Sequence, residues 1–265
     1  MIMVTTMATI TRTAIMSMAT THMVACPLVR TATMADAGGP AIAVPIELMV
    51  WLSPAFPVGA FAYSHGLEQA VARGWLATRA DLEIWLSDLI AMGSLRTDLI
   101  LLAAAWRAAA AGNDADLRHA NDWACALQPS AERHLETVTQ GGSFVAAIRA
   151  AWPAPGLDAL PAMAERGIAY PVAVGAVAAR HAVPLEGTAL AYGVAFVANL
   201  ASAAIRLNII GQTDGQRLIT ALLPRLRDQA QRVPHVTLGD LGSATLRADL
   251  ASLSHETQYS RIFRS

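Results

Sequence analysis

The 265-residue chain contains no lysine; all 19 of its basic residues are arginine. That excludes a P-loop, whose lysine must reach the β- and γ-phosphates of a nucleotide. It also excludes a Schiff-base or pyridoxal-binding lysine from this chain. Cysteine is nearly as scarce: Cys26 and Cys125 are too few for a disulfide framework or a CxxC metal knuckle, and they fit a reducing, cytoplasmic setting. Charged residues make up 15% and the formal charge is −1, so the basic footprint that nucleic-acid binding requires is missing. Aromatic residues contribute 6% and β-branched runs are few. The 54% apolar share is dominated by Ala and Leu, both strong helix formers, which predicts an all-α chain with a sizeable core.

Residues 1–40 differ in composition from the rest of the chain. They are rich in Met and Thr, hold Arg12 and Arg30, and show no acid before Asp36. No compact apolar stretch of a secretory signal is present there, and Gly38-Gly39-Pro40 closes the segment with breaker residues. The expectation is a disordered leader or an over-extended start, 1–40, ahead of a single all-helical domain, 41–265. Within that domain the pattern predicts a short helix at Ile46–Leu52, then a Pro- and Gly-containing loop from Ser53 to Gly59. A helix from about Ala60 to Arg73 comes next. Thr78 is placed to cap another helix, with Asp81 three residues on and Leu82, Trp85, Leu86 and Leu89 along one face. Further helices are expected at 95–111, 114–127, 130–151, 171–181 and about 243–258, with a short turn near 157–166. Pro184 opens a long segment, and Thr213-Asp-Gly-Gln216 fits a capping box at the start of another helix. Gly187–Ile205 is uncharged and near the length of a membrane span. Its Ala, Gly and Val content, with Asn199 and Ser202, instead suits a buried central helix, and no second stretch of that length is expected. The predicted architecture is a multi-helix bundle around the small-residue-rich helix at about 184–210.

Chemistry is thinly signalled. The seven histidines show no metal spacing, neither HExxH nor HxxxH nor a Cys/His cluster. No nucleophile elbow or dinucleotide fingerprint occurs. Acids read as single surface residues, and His255-Glu256 as a polar helix end. A stand-alone helical metal-binding protein or enzyme, built from scattered histidines, is the alternative reading. What stands out is apolar and aromatic material in a loop and at a terminus. Phe56, Phe61 and Tyr63 flank the Pro-Val-Gly turn, and Ile262 and Phe263 lie between Arg261 and Arg264. Arginine with aromatics is typical anchor chemistry at protein interfaces. The segment 259–265 is therefore expected to dock.

Three motifs, in order, carry a resemblance. They are Ser53-Pro-Ala-Phe-Pro-Val-Gly-Ala-Phe-Ala-Tyr-Ser-His-Gly-Leu-Glu68, then Asn199–Arg206 running into Gly211–Gln216, then His255-Glu-Thr-Gln-Tyr-Ser-Arg-Ile-Phe-Arg-Ser265. Together they resemble the UreF family of urease accessory proteins across about 46–265. The resemblance implies an all-helical homodimer with no catalysis, no cofactor and no metal site of its own. It further implies a cytoplasmic adaptor that bridges UreD (also called UreH) and the GTPase UreG. That assembly engages apo-urease, and GTP hydrolysis by UreG accompanies nickel delivery. By the same resemblance Arg261 and Phe61 belong to the partner-binding surface, joined by Tyr259, Phe263 and His255. Asn199, Arg206 and Gln212 are expected to satisfy one another beside the buried helix, the alternative being that they line an interior path.

Overall fold

The computed structural model describes residues 42–157, 160 and 167–265; the expected leader at 1–40 and most of the turn expected near 157–166 lie outside the described residues. Among the described residues the chain is helical, with turns and no strand. The helices are α1 (Ile46–Trp51), α2 (Leu67–Ala72), α3 (Arg79–Met92), α4 (Ser94–Ala110) and α5 (Asp114–Ala126). They continue with α6 (Ala131–Ala151), α7 (Tyr170–Arg180), α8 (Leu185–Arg206), α9 (Gln212–Arg232) and α10 (Leu246–His255).

Local chemistry explains most of the boundaries. Thr78 accepts the Asp81 N–H while the Asp81 carboxylate accepts the Thr78 N–H, a reciprocal capping box that starts α3. Asn113 and Ser130 cap α5 and α6 without the reciprocal bond: Asn113 accepts the Ala115 and Asp116 N–H groups and Ser130 accepts the Arg133 N–H. Two expectations are corrected. Thr213–Gln216 forms no capping box: α9 begins at Gln212 behind Gly211, with no side-chain cap, at an exposed end where water can satisfy the free N–H groups. The helix expected from Ala60 to Arg73 is interrupted. A 3₁₀ turn at Ala60–Ala62 gives way to extended Tyr63, and His65 and Gly66 adopt positive φ before α2 begins.

The core forms where small residues let helices approach. Every residue of α7 from Pro171 to Ala178 is buried, and α7 packs most extensively against α4 and then α6, while α8 lies along α9. Ala and Val bury little area each, so close packing has to supply the cohesion. At Gly175 a Cβ would stand 2.3 Å from the Leu102 carbonyl oxygen, so only a hydrogen there lets α7 meet the α4 backbone. The helix expected to be central, α8, buries Gly187, Gly193, Ala201, Ala203 and Ala204 along one side. Both α8 and the α3–α4 stretch Arg79–Ala110 are long and apolar enough to cross a membrane, which corrects the expectation of one such stretch. Between 61% and 67% of each apolar window is buried within the bundle, as in core helices, and Gly93 separates α3 from α4.

Two glycines separate close packing from backbone propensity. Gly175→Ala should destabilise the chain by about 1–3 kcal/mol through overpacking. Gly142→Ala, at an exposed site in α6 where an added Cβ meets nothing within 4 Å, should stabilise by about 0.5–1 kcal/mol. Urea unfolding of both variants checks this; equal effects would show that α7 does not depend on the close approach.

Candidate functional site

The loop after α1 and the C-terminal segment, about two hundred positions apart in sequence, meet along one seam. Pro54, Pro57 and left-handed Gly59 turn the chain so that Ala62 and Ser64 present backbone groups to the tail. Arg264 N–H donates to the Ala62 carbonyl at 2.8 Å. Ser64 donates to the Ser265 carbonyl twice, from N–H at 2.7 Å and from Oγ at 2.6 Å. Gly66 completes the turn at φ 76°, where a Cβ would lie 2.7 Å from the Ser252 nitrogen in α10, so both conformation and space require glycine.

Three carboxylates beneath the seam fasten the tail: Glu68 of α2 and Glu132 and Glu136 of α6. Glu68, 6% exposed, accepts the N–H groups of Ile262 at 2.8 Å and Phe263 at 3.0 Å. Glu132 accepts from Arg261 and contacts His255. Glu136 accepts the Ser265 hydroxyl at 2.6 Å and is also bound by Arg133, by Gln140 and by His65 Nε2. The Phe263 ring is buried under the Arg206 guanidinium, 4.2 Å from its centroid, a cation–π contact. Sequence reasoning misses these acids by taking them for single surface residues. The available signal was Glu132 and Glu136 at i, i+4 spacing, one helix face, and Glu68 closing the first motif.

Beside the seam lies a cavity of about 190 Å³ lined by Phe56, Phe61, His65, Asp98, Glu136 and Tyr192 among others. Burial would raise the Glu136 carboxyl, but Arg133 and His65 hold it down at about 2. Burial pushes Asp98 up to about 6, opposed by Arg133 and by the hydrogen bond from Tyr192 Oη at 3.0 Å. His65 is lowered by burial and by Arg133, against the pull of Glu136. A neutral His65 therefore donates through Nε2 to Glu136 at 2.8 Å, leaving Nδ1 buried without a partner.

The residues singled out from sequence divide into two groups. Phe61 is 70% exposed, Tyr259 fully exposed, and Arg261 half-exposed on the seam, alongside exposed Ile262. Phe263 and His255 are buried, holding the tail from below. His255 is no polar helix end: both ring nitrogens face carboxylates, and it is Glu256 that reaches the Ala131 N–H. Asn199 donates to the Tyr63 carbonyl and Arg206 covers Phe263, so the expected mutual pairing with Gln212 gives way to contacts with the turn and the tail. The remaining histidines in the described bundle are dispersed: His119 bonds the Trp123 indole, His134 the Cys125 carbonyl, His181 packs on Trp51, and His235 is exposed in the 3₁₀ turn Val233–His235. Among the described residues, no group of three or more His, Cys, Asp or Glu is arranged to hold a metal ion.

Comparison with known proteins agrees over most of the chain. The family model described as UreF matches residues 76–223. A urease accessory protein UreF of Methylorubrum populi is 54% identical over 220 residues, covering 83% of this chain and 98% of its own length. That of Xanthobacter autotrophicus is also 54% identical over 220 residues, covering 83% and 90%. That of Azorhizobium caulinodans is 51% identical over 233 residues, covering 88% of this chain and all of its own length.

The buried acid beside the cavity has a measurable signature. A carboxyl raised to about 6 keeps its proton in the folded state while the unfolded chain releases one near pH 4, so Asp98 costs stability as pH rises through that interval. Asp98→Asn should therefore gain on the wild type by about 2–3 kcal/mol between about pH 4 and pH 7, following 1.36 kcal/mol per pKa unit. Denaturant unfolding at several pH values checks this; a constant difference would mean that Asp98 titrates as an ordinary acid.

Proposed function

Because the chain belongs to the UreF family of urease accessory proteins, we propose that it is a non-catalytic adaptor in urease maturation. In this reading it bridges UreD (UreH) and the GTPase UreG in the cytoplasm, as a homodimer, so that GTP hydrolysis by UreG accompanies nickel insertion into apo-urease. The observation that carries the reading is the seam. Glu68 holds the Ile262 and Phe263 N–H groups, Glu132 the Arg261 side chain and Glu136 the Ser265 hydroxyl, while Phe61, Tyr259, Arg261 and Ile262 stay exposed. Exposed aromatics and an arginine on a backbone already ordered lose little entropy on docking, which favours a partner-binding ridge. The lack of a P-loop lysine is compatible with a nucleotide held by the partner and is not by itself evidence for the adaptor role.

In this reading Phe61, Arg261 and Tyr259 touch the partner directly. His255 and Phe263 act as positioning residues that keep the ridge in place. The segment 259–265 is the docking tail of the helical unit 41–265. The Arg261–Glu132 contact is partly exposed, and such pairs contribute about 0–1 kcal/mol to folding, so Arg261→Ala should leave the helix content and melting behaviour nearly unchanged. It should weaken co-purification of UreG with the UreD-bound complex about tenfold or more, as loss of an interface anchor does, and lower urease activation in parallel. Phe61→Ala should act the same way. Undiminished UreG recruitment by both variants would remove the ridge from the partner interface.

A further inference from the structure

The cavity of about 190 Å³ is walled by the turn after α1 and by residues of α4, α6, α7 and α8. No residue of 244–265 lines it, so the hollow belongs to the bundle rather than to the seam. Leu52, Phe56, Val58, Phe61 and Phe196 make its surface mainly apolar. The polar part of the wall is largely committed within itself. Glu136 accepts from Arg133, Gln140 and His65 Nε2, Tyr192 donates to Asp98, and Thr137 Oγ1 accepts the Tyr170 N–H. Among the described residues, His65 Nδ1 is the one side-chain nitrogen or oxygen of the lining that is fully buried without a partner. The ring proton sits on Nε2, facing ionised Glu136, so Nδ1 is a bare lone pair. His65 holds this place on a left-handed backbone, φ 56°, with its ring in a T-shaped contact with Phe196 at 5.0 Å. A buried acceptor left unmade costs stability that the chain alone does not recover.

We propose that this cavity is a binding site for a small uncharged molecule, a single ring carrying an O–H or N–H donor that His65 Nδ1 accepts. Volume sets the size, since an apolar cavity of about 150 Å³ takes benzene. The wall sets the polarity. A buried water needs about two to four polar partners, and this wall offers one unpartnered buried acceptor in apolar surroundings. An anion is disfavoured, because Glu136 is ionised and its Arg133 partner is already engaged. A hydrocarbon of the right size fills the hollow but leaves Nδ1 bare. A ring with a donor meets both demands. Phe61 lines the cavity while largely exposed, which puts it at the mouth and gives a ligand a way in beside the turn.

The site goes beyond the adaptor role, and its test involves neither UreD nor UreG. The full chain is titrated calorimetrically with phenol, toluene and benzoate at about pH 7, where the phenol hydroxyl keeps its proton. Nitrogen NMR follows the His65 ring in parallel. Phenol should bind saturably with a Kd of about 1 mM or below and shift the Nδ1 resonance. Toluene, matched in size but lacking the donor, should bind about three- to tenfold more weakly, the worth of one hydrogen bond. Benzoate should not bind measurably. Ala198→Leu, which extends a side chain from α8 into the cavity, should abolish phenol binding. If that variant does not fold, His65→Asn, a residue that tolerates left-handed φ, should erase the preference for phenol over toluene. Absence of saturable phenol binding, equal affinity for phenol and toluene, or binding of benzoate would overturn the site. So would undiminished phenol binding by a folded Ala198→Leu chain.

Discussion

Glu68 sits under the C-terminal segment with almost no access to water, and its two oxygens are committed to the Ile262 and Phe263 N–H groups and to His255. A buried carboxylate is costly unless hydrogen bonds compensate it. Here the compensation comes from chain nearly two hundred residues away. Withdrawing the tail would therefore strip the carboxylate of both backbone donors and leave it only the His255 contact, while folding the tail down satisfies the carboxylate and two backbone donors together. The ordering of the terminus, the burial of Phe263 and the orientation of Arg261 all depend on this exchange. Glu132 and Glu136 repeat it at either side, through Arg261 and Ser265.

The helical bundle is the frame that places these acids. Close approach of α7 to α4, made possible by Gly175 and neighbouring alanines, sets the core, and α6 packs on α7. That packing brings Glu132 and Glu136 to the side of the bundle where α2 and α10 cross. The kink at His65 and Gly66 then does what a continuous helix could not. It leaves Tyr63 extended, so that Ala62 and Ser64 on either side can pair with the tail, and it lets α10 pass within contact of the turn.

Much of this frame is legible in the sequence, because helix periodicity and capping are local. Thr78 with Asp81, Asn113 and Ser130 mark helix starts from side chains that act within one turn. The failures come where distant contacts decide. Nothing local announces that a helix pattern running through Ala60–Arg73 must break at His65, since the break is stabilised by α10 and the tail. Likewise Glu68 and Glu136 look like ordinary helix-surface acids until the terminus covers them. Phe61 and Arg261 are singled out by the resemblance, within a turn and a chain end whose aromatic and arginine content already stands out. Their division into exposed ridge and buried support, with Phe263 and His255 below, requires the fold.

If the carboxylate-held seam presents one surface to the GTPase partner, the contact can be trapped there. The most direct measurement places a photo-crosslinking residue at position 61 and assembles the chain with UreD and UreG, with and without Glu68→Ala. Cross-links from position 61 to UreG are expected in the otherwise unaltered chain, and their loss is expected when Glu68 no longer holds the tail. Cross-links to UreG that persist in Glu68→Ala, or that never form from this position, would contradict a seam that serves as the docking surface.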